Sequence, residues 1–486
     1  MCSPLAGIAV AAVLLAQVSA QALSADDAAL VAKNLATGAQ QSWELGTRAQ
    51  ALLDLYVPDF SVFSSTELPP PTSVPSNTTS AIAPVFSIAQ NVVSALKLNS
   101  SSPPTALVNG DGAAGDPASI GVAVLLANWT GQGAGDKLDY GQAATSQLEY
   151  TLNVVPRTSD GAISHRAAQV QLWSDSVFMV PPFLAYYGVL TGNTTLMNEA
   201  YNQIKLYRNY LRDSSAKNLW KHIVLGNDTQ DGANDPGHWS TGMKRLGSGR
   251  YAAGHCNNEE FSVQQGFFES AKGFSQLGQG NPYCHVCAHC TATPSFPPTI
   301  LIPNALIQDS TNIFTNYADQ PISTSGMFYD TASTTLIAST VYRAALLVND
   351  HSHLPNAEKC REALFATSPF RLSQPSIRGS SGSASVSASS TAPASSPTAT
   401  ASSMPNMVHF TNDGWLTPVV NPHSFGVEGS DSPEGEAFVL ELQAAYDEWV
   451  AVGSPGANAA RRTASAATGW AWAAGCVIIG GLLAYT

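Results

Sequence analysis

The sequence predicts an all-α chain assembled from helical hairpins. Three observations carry this. Apolar residues recur at spacings of three and four in one segment after another, which is the period of an amphipathic helix. Strand-like alternation is scarce along the whole 486 residues. Short loops separate the helical segments, and polar residues with chemistry to offer collect where loops meet helix starts, as in hairpins packed side by side.

Taken in order, residues 25–57 hold two helices. Ala28, Leu30, Val31 and Leu35 mark the first; Leu45, Ala49, Leu52 and Leu53 mark the second, with Trp43 near its start. Gly46 falls early in that second run and blurs its beginning, because glycine weakens a helix interior. Residues 58–82 are rich in Pro, Ser and Thr without a period and are expected to form a glycosylated loop. Helical spacing returns over 84–97, 119–130, 138–153, 176–190 and 195–213, and again over 332–349, 357–366 and 434–451. Arg343, inside an apolar helical run, is expected to be the buried partner of a carboxylate. Residues 373–406, mostly Ser, Ala, Thr and Pro, read as a disordered or O-glycosylated insertion.

Composition narrows the function classes. Hydrophobic residues at 44% allow a large core, while charged residues at only 12% beside abundant Ser, Thr, Ala and Gly suit a secreted glycoprotein. A net charge of -13 with no Lys/Arg cluster argues against nucleic acid, whose binding rests on phosphate neutralisation. Residues 1–20 read as a signal peptide, with an apolar run over 5–17 and a small-x-small site at Val18-Ser19-Ala20. Residues 453–486 read as a GPI-anchor signal: small residues at Asn458-Ala459-Ala460, a polar spacer from Arg461 to Gly469, then a hydrophobic tail. A plain transmembrane anchor is the alternative for that tail. Sequons at Asn77, Asn99, Asn128, Asn193 and Asn227 fit the secretory route. The expectation is a monomer at the cell surface, held to the membrane by its lipid anchor, with residues 21–452 as its one folded domain.

Residues 243–308 interrupt the pattern. Periodicity is lost, glycine is frequent, and Cys256, Cys284, Cys287 and Cys290 fall here out of seven cysteines. The run from Cys284 to Cys290 holds zinc-type ligands but no second half-site, so no metal is expected. A shift of one nucleotide from within Lys244 permits amphipathic helices here and places Asn-Gly-Trp directly after Gly242. The window therefore reads as a frame error followed by retained intron, which the transcript sequence would decide.

The strongest candidate for chemistry is Gln171–Gly188. Asp175 stands just before a run whose only polar side chains, from Val177 to Leu190, are two tyrosines. An acid at the mouth of such an element is partly desolvated and suited to general acid work. Trp173 beside it could wall a sugar subsite. The alternative is that Asp175 simply caps a buried helix. His165 could be a loop histidine, and Trp173 and Trp239 could be core. Asp160-Gly161 and Asp413-Gly414 read as turns, and Glu434 as a helix-start acid.

Three motifs then bring a resemblance. Pro156–His165, Trp173-Ser-Asp175 through Gly188, and His238-Trp-Ser-Thr-Gly242 resemble the unsaturated rhamnogalacturonyl and glucuronyl hydrolases of glycoside hydrolase family 105, most of all their fungal secreted members. Asp330–Thr335 and Ser430–Phe438 are similar to later family positions. The resemblance implies a barrel of six helical hairpins, an (α/α)6 fold, with its pocket at one mouth. It implies removal of a 4,5-unsaturated uronic acid from pectin-derived (rhamnogalacturonan) oligosaccharides by hydration of the double bond, with no cofactor. Asp175 matches the family's catalytic aspartate, Trp173 and Trp239 its aromatic pocket walls, His165 a substrate-contacting position, and Asp116 a second acid that holds substrate hydroxyls. The family continues with Asn-Gly-Trp after Gly242, where Met243-Lys244-Arg245 stands in this sequence. Two other readings remain: an inactive carbohydrate-binding barrel of the cell wall, and a structural GPI protein.

Overall fold

A computed structural model describes residues 23–64, 66–99, 101–227, 233–242, 309–367, 407–421 and 423–457. The expected signal peptide, the window 243–308, the low-complexity insertion and the tail beyond residue 457 lie outside the described residues.

Among the described residues, ten longer helices form the frame: α1 (Ala25–Gly38), α2 (Ser42–Tyr56), α3 (Thr79–Ala95), α4 (Gly121–Trp129), α5 (Tyr140–Glu149), α6 (Val180–Thr191), α7 (Thr194–Leu211), α8 (Thr331–Val348), α9 (Leu354–Leu364) and α10 (Pro433–Ala451). Burial sorts them into two layers. Every residue of α4 from Gly121 to Ala127, of α8 from Thr331 to Ala345 and of α10 from Pro433 to Ala445 is buried. Helices buried all round belong inside a layer of others. By contrast, α7 buries one stripe, including Leu196, Ala200, Ile204, Tyr207 and Leu211. Among the inner helices α2 packs on α4, α4 on α6, α8 on α10 and α10 on α2, while α1, α3, α5, α7 and α9 pack around them. Residues 240–242, the first turn of a further helix, follow the outer helix α7. This is the all-α hairpin barrel that the sequence predicted.

Local chemistry starts these helices. Ser24 and Asp27 form a capping box at α1, Asp139, Asn193 and Ser432 cap α5, α7 and α10, and Glu44 Oε2 accepts from the amides of Gln40 and Gln41 ahead of α2. Pro181 and Pro182 lack amide hydrogens and fit the first turn of α6, which starts at Val180 and not at 176. Helix α3 begins at Thr79, ahead of the expected 84, and carries Pro84 inside it. The stretch 138–153 divides into α5 and a π-turn, Tyr150–Val154.

Gly46, which blurred the sequence pattern, has a packing reason. A Cβ there would lie 1.9 Å from Ser119 Oγ and 2.8 Å from the Ser119 carbonyl carbon. The bare backbone lets α2 press on the one-turn helix Gly115–Ser119. At the opposite end of the inner helices, Arg343 pairs with Glu448, lies 3.9 Å from Asp54, and stacks 4.8 Å from the Phe63 ring centroid. It is the buried partner of carboxylates that the sequence led one to expect.

The few strands are short. β1 (Leu172–Trp173) pairs antiparallel with β4 (Ile223–Val224), β2 (Arg212–Asp213) with β3 (Leu219–Trp220), and β5 (Val419–Asn421) with β6 (Ser424–Gly429).

Candidate active site

Asp175 sits in a buried 3-10 turn, Ser174–Phe178, between β1 and α6. Met179 occupies the cap position of α6, so Asp175 is not the helix cap. The strand before it is laced to two other segments. Trp173 pairs with Ile223, the Ser174 amide donates to the His222 carbonyl at 2.8 Å, and the His222 amide donates to the Gly237 carbonyl at 2.9 Å. Ile223 and Asp235 exchange backbone hydrogen bonds at 2.8 and 3.1 Å. Three pieces of chain far apart in sequence thus hold one another in register.

That lacing centres His222, which is 1% exposed. Its Nε2 lies 3.2 Å from Asp175 Oδ2, and its Nδ1 lies 2.9 Å from Asp235 Oδ2. Asp235 is held in turn. Tyr317 donates its hydroxyl to Oδ2 at 2.8 Å, and the Gly237 amide donates to Oδ1 at 2.9 Å. Burial alone would lower the His222 pKa. The hydrogen bonds and charges of Asp175 and Asp235 outweigh it, so the imidazole stays protonated above the ordinary histidine range. For Asp235, burial acts upward, but His222, Tyr317 and the Gly237 amide together hold its carboxyl below the usual range. Burial first, and then the neighbouring Asp235 charge, push the Tyr317 phenol well above its ordinary value.

Aromatic rings enclose this chain of groups. Trp173 meets His222 edge-on at 5.5 Å, and Phe425 from β6 does so at 4.5 Å. Trp239 lies against His222 at 4.4 Å and also packs with Phe328 and Val420, so it is wall and core together. On the far side of Trp173, the His165 ring stacks at 4.8 Å. His165 Nε2 stands 3.6 Å from Asp116 Oδ1. Asp116 rides on the one-turn helix, whose Gly115 is pressed so close that a Cβ would sit 2.9 Å from His165 Nδ1 and 3.2 Å from Ser176 Oγ.

Trp173, Asp175 and Trp239 therefore converge on one histidine that sequence reasoning did not single out, with His165 and Asp116 behind Trp173. Also missed were Asp235, Tyr317 and Phe425. Asp235-Pro-Gly237 looks like an ordinary turn, and Lys221–Val224 shows no period. The one available signal was that Asp235, like His222, lies within the aperiodic stretch leading to Trp239. Asp160 stays outside the site as an exposed turn residue. It accepts from Thr158 and Tyr210, and Gly161 follows at φ +99°. Asp413 likewise precedes Gly414 at φ +81°. Glu434 is buried in the first turn of α10.

The starts of the inner helices meet at this mouth. Thr241 donates to Asp330, at the head of α8, at 3.0 Å, and Gly242 lies flush against Ser174. Beside it, the starts of α2 and α10 and the β5–β6 hairpin border a cleft of about 650 Å³, lined by Glu44, Asn421, His423, Glu428, Ser430 and Asp431 among others. Among the described residues, no group of three or more His, Cys, Asp or Glu is placed to hold a metal ion; the Cys284–Cys290 run lies outside them.

Comparison with known proteins follows the same lines. No curated protein matches the chain. The profile of Glycosyl Hydrolase Family 88 matches residues 119–244, a span that contains His165, Trp173, Asp175, His222, Asp235 and Trp239. Among solved structures, a possible member of glycoside hydrolase family 105 from Salmonella enterica serovar Paratyphi A superposes with a TM-score of 0.51 at 13% identity, covering 87% of this chain and 94% of that one. A family 105 glycoside hydrolase from C. acetobutylicum gives 0.51 at 11% identity, covering 86% and 99%. A possible family 105 member from Klebsiella pneumoniae gives 0.51 at 12%, covering 87% and 93%. At such identities the superpositions speak for the fold, and the profile match speaks for the kind of enzyme. The helical barrel is thus the fold of these structures, and residues 119–244 are similar to Glycosyl Hydrolase Family 88.

Proposed function

We propose that this glycosidase removes a 4,5-unsaturated uronic acid from the non-reducing end of pectin-derived rhamnogalacturonan oligosaccharides by hydrating the double bond. The observation that carries the reading is the buried acid Asp175, in ion-pair reach of a histidine that the indoles of Trp173 and Trp239 flank. Hydration needs one carboxyl that is an acid first and a base second. Asp175 gives its proton to C4 and then takes one from the water that adds at C5. The resulting hemiketal opens and releases the sugar. Trp173 and Trp239 supply apolar faces for the ring, and Asp116 with His165 supplies acceptors and donors for its hydroxyls. The acidic residues of the neighbouring cleft disfavour a second uronate and admit a neutral sugar such as rhamnose.

The same proposal places the protein outside the cell, anchored by a lipid. All five sequon asparagines are exposed, as glycosylation requires.

The test follows ultraviolet absorbance of the unsaturated uronate on pectin-lyase products. The full chain is expected to consume the absorbance, and Asp175→Asn to lower kcat by about 10²–10⁴-fold, the usual weight of general acid–base catalysis. Binding of the oligosaccharide without absorbance loss would replace this reading with that of an inactive carbohydrate-binding barrel.

A further inference from the structure

We propose that Asp235, with Tyr317 behind it, is a positioning residue that fixes the tautomer of His222 and turns His222 Nε2 on Asp175, so that His222 and Asp175 share one transferable proton. The inference rests on Asp175 being the acid of the proposed reaction.

The geometry is a line of four side chains: Tyr317 hydroxyl to Asp235 at 2.8 Å, Asp235 to His222 Nδ1 at 2.9 Å, and His222 Nε2 to Asp175 at 3.2 Å. A carboxylate accepting at Nδ1 keeps a proton there and leaves Nε2 as the variable position. The ring cannot swing away. It is clasped by Trp173, Trp239 and Phe425, and its backbone is bonded to Ser174 and Gly237. Asp235 cannot swing either, with Tyr317 on one oxygen and the Gly237 amide on the other. Glycine is required at 237, since a Cβ there would lie 2.4 Å from the Tyr317 ring and 2.9 Å from Asp235 Oδ1.

Among the described residues, the charged or titratable groups facing this pair are few. Asp175 and Asp235 flank His222 directly, Tyr317 reaches it through Asp235, and Tyr207 stands beside Asp175 through Ser176. On the far side of Trp173 stand His165 and Asp116, and the rings packed directly on His222, those of Trp173, Trp239 and Phe425, are uncharged. One proton therefore has two seats. On Nε2 it makes an imidazolium against a carboxylate. On Asp175 it makes the neutral acid that can protonate C4. The pair gives one proton to C4 and regains one from the water that bonds to C5, so its proton count is unchanged over a cycle. Asp235 sets the balance between the seats, because its charge favours the imidazolium.

The experiment uses the full chain labelled with 13C-histidine, the His222 signal being assigned by its loss in His222→Gln. Asp235→Asn is expected to lower the His222 titration midpoint, to move the alkaline limb of kcat to lower pH, and to reduce kcat by about 10²-fold with KM changed less than about threefold. Tyr317→Phe is expected to move all three in the same direction by less. Unchanged His222 titration and pH profile in Asp235→Asn, whether or not the protein melts earlier, would reduce Asp235 to a structural role and overturn the proposal. If the wild-type chain turns over no unsaturated oligosaccharide, the proposed reaction fails, and the His222 titration still decides whether Asp235 governs it.

Discussion

The close approach at Gly46 can be tested by a single methyl group. In Gly46→Ala the new Cβ would lie 1.9 Å from Ser119 Oγ, 2.4 Å from Ser119 Cβ and 2.8 Å from its carbonyl carbon. Rotating the serine side chain removes only the first contact, and it breaks the bond Ser119 Oγ donates to the Asp116 carbonyl at 2.6 Å. The Cβ and backbone contacts remain, so the one-turn helix must retreat by roughly 1 Å, the gap between the 2.4 Å approach to Ser119 Cβ and an ordinary 3.4 Å contact. Alanine in place of glycine favours a helix by about 1 kcal/mol. Overpacking a tight interface costs about 1–3 kcal/mol, and a forced backbone shift belongs at the upper end. The net is a destabilisation of about 1–2 kcal/mol, seen as a fall of about 1–2 °C in melting temperature, because the unfolding entropy of so long a domain is large. Because the retreating helix carries Asp116, KM should rise while kcat holds. Thermal melts of wild type, Gly46→Ala and the double variant with Ser119→Gly provide the assay. The double variant removes the side-chain part of the clash and should recover part of the loss. A Gly46→Ala protein melting at or above the wild-type temperature would show that helix propensity wins and that the contact is not tight.

Two further outcomes concern buried charge. Arg343→Met leaves Asp54, buried and bonded to Ser61 and Gln50, without its cation, and should cost about 3 kcal/mol in urea unfolding at neutral pH. That cost should shrink in acid, because burial already raises the Asp54 pKa and the carboxyl can take up a proton. Glu436 is wholly buried in the first turn of α10 and accepts the Leu416 amide at 2.7 Å. Burial raises its pKa well above the ordinary glutamate value, so its contribution is complete below the unfolded pKa and is lost as pH rises through the folded one. Glu436→Gln keeps the acceptor and removes the titration. It should therefore melt above wild type at neutral pH and level with it in acid. A constant difference across pH would refute the assignment.

Local chemistry determined much of this protein. The period of the apolar residues placed the helices from Ala25 to Leu211 and from Thr331 to Ala451 within a few residues, since a buried stripe or core helix writes its spacing into the chain. The motif around Asp175 was legible for a related reason: one acid ahead of a long apolar run stands out by contrast. Where the chain lacks a period, the sequence offered no handle. His222, Asp235, Tyr317 and Phe425 lie in loops and short strands, and they become a site only because β1, β4 and the 235–237 segment bond to one another and β6 reaches over them. Gly46 shows the same limit from the other side. Its meaning lies in Ser119, more than seventy residues away, and only the packing of α2 on the one-turn helix turns an apparent weakness of the helix into the contact that seats Asp116. Spacing along the chain is a one-dimensional record of which face is buried; which side chains share a proton is decided by distances that only the folded chain defines.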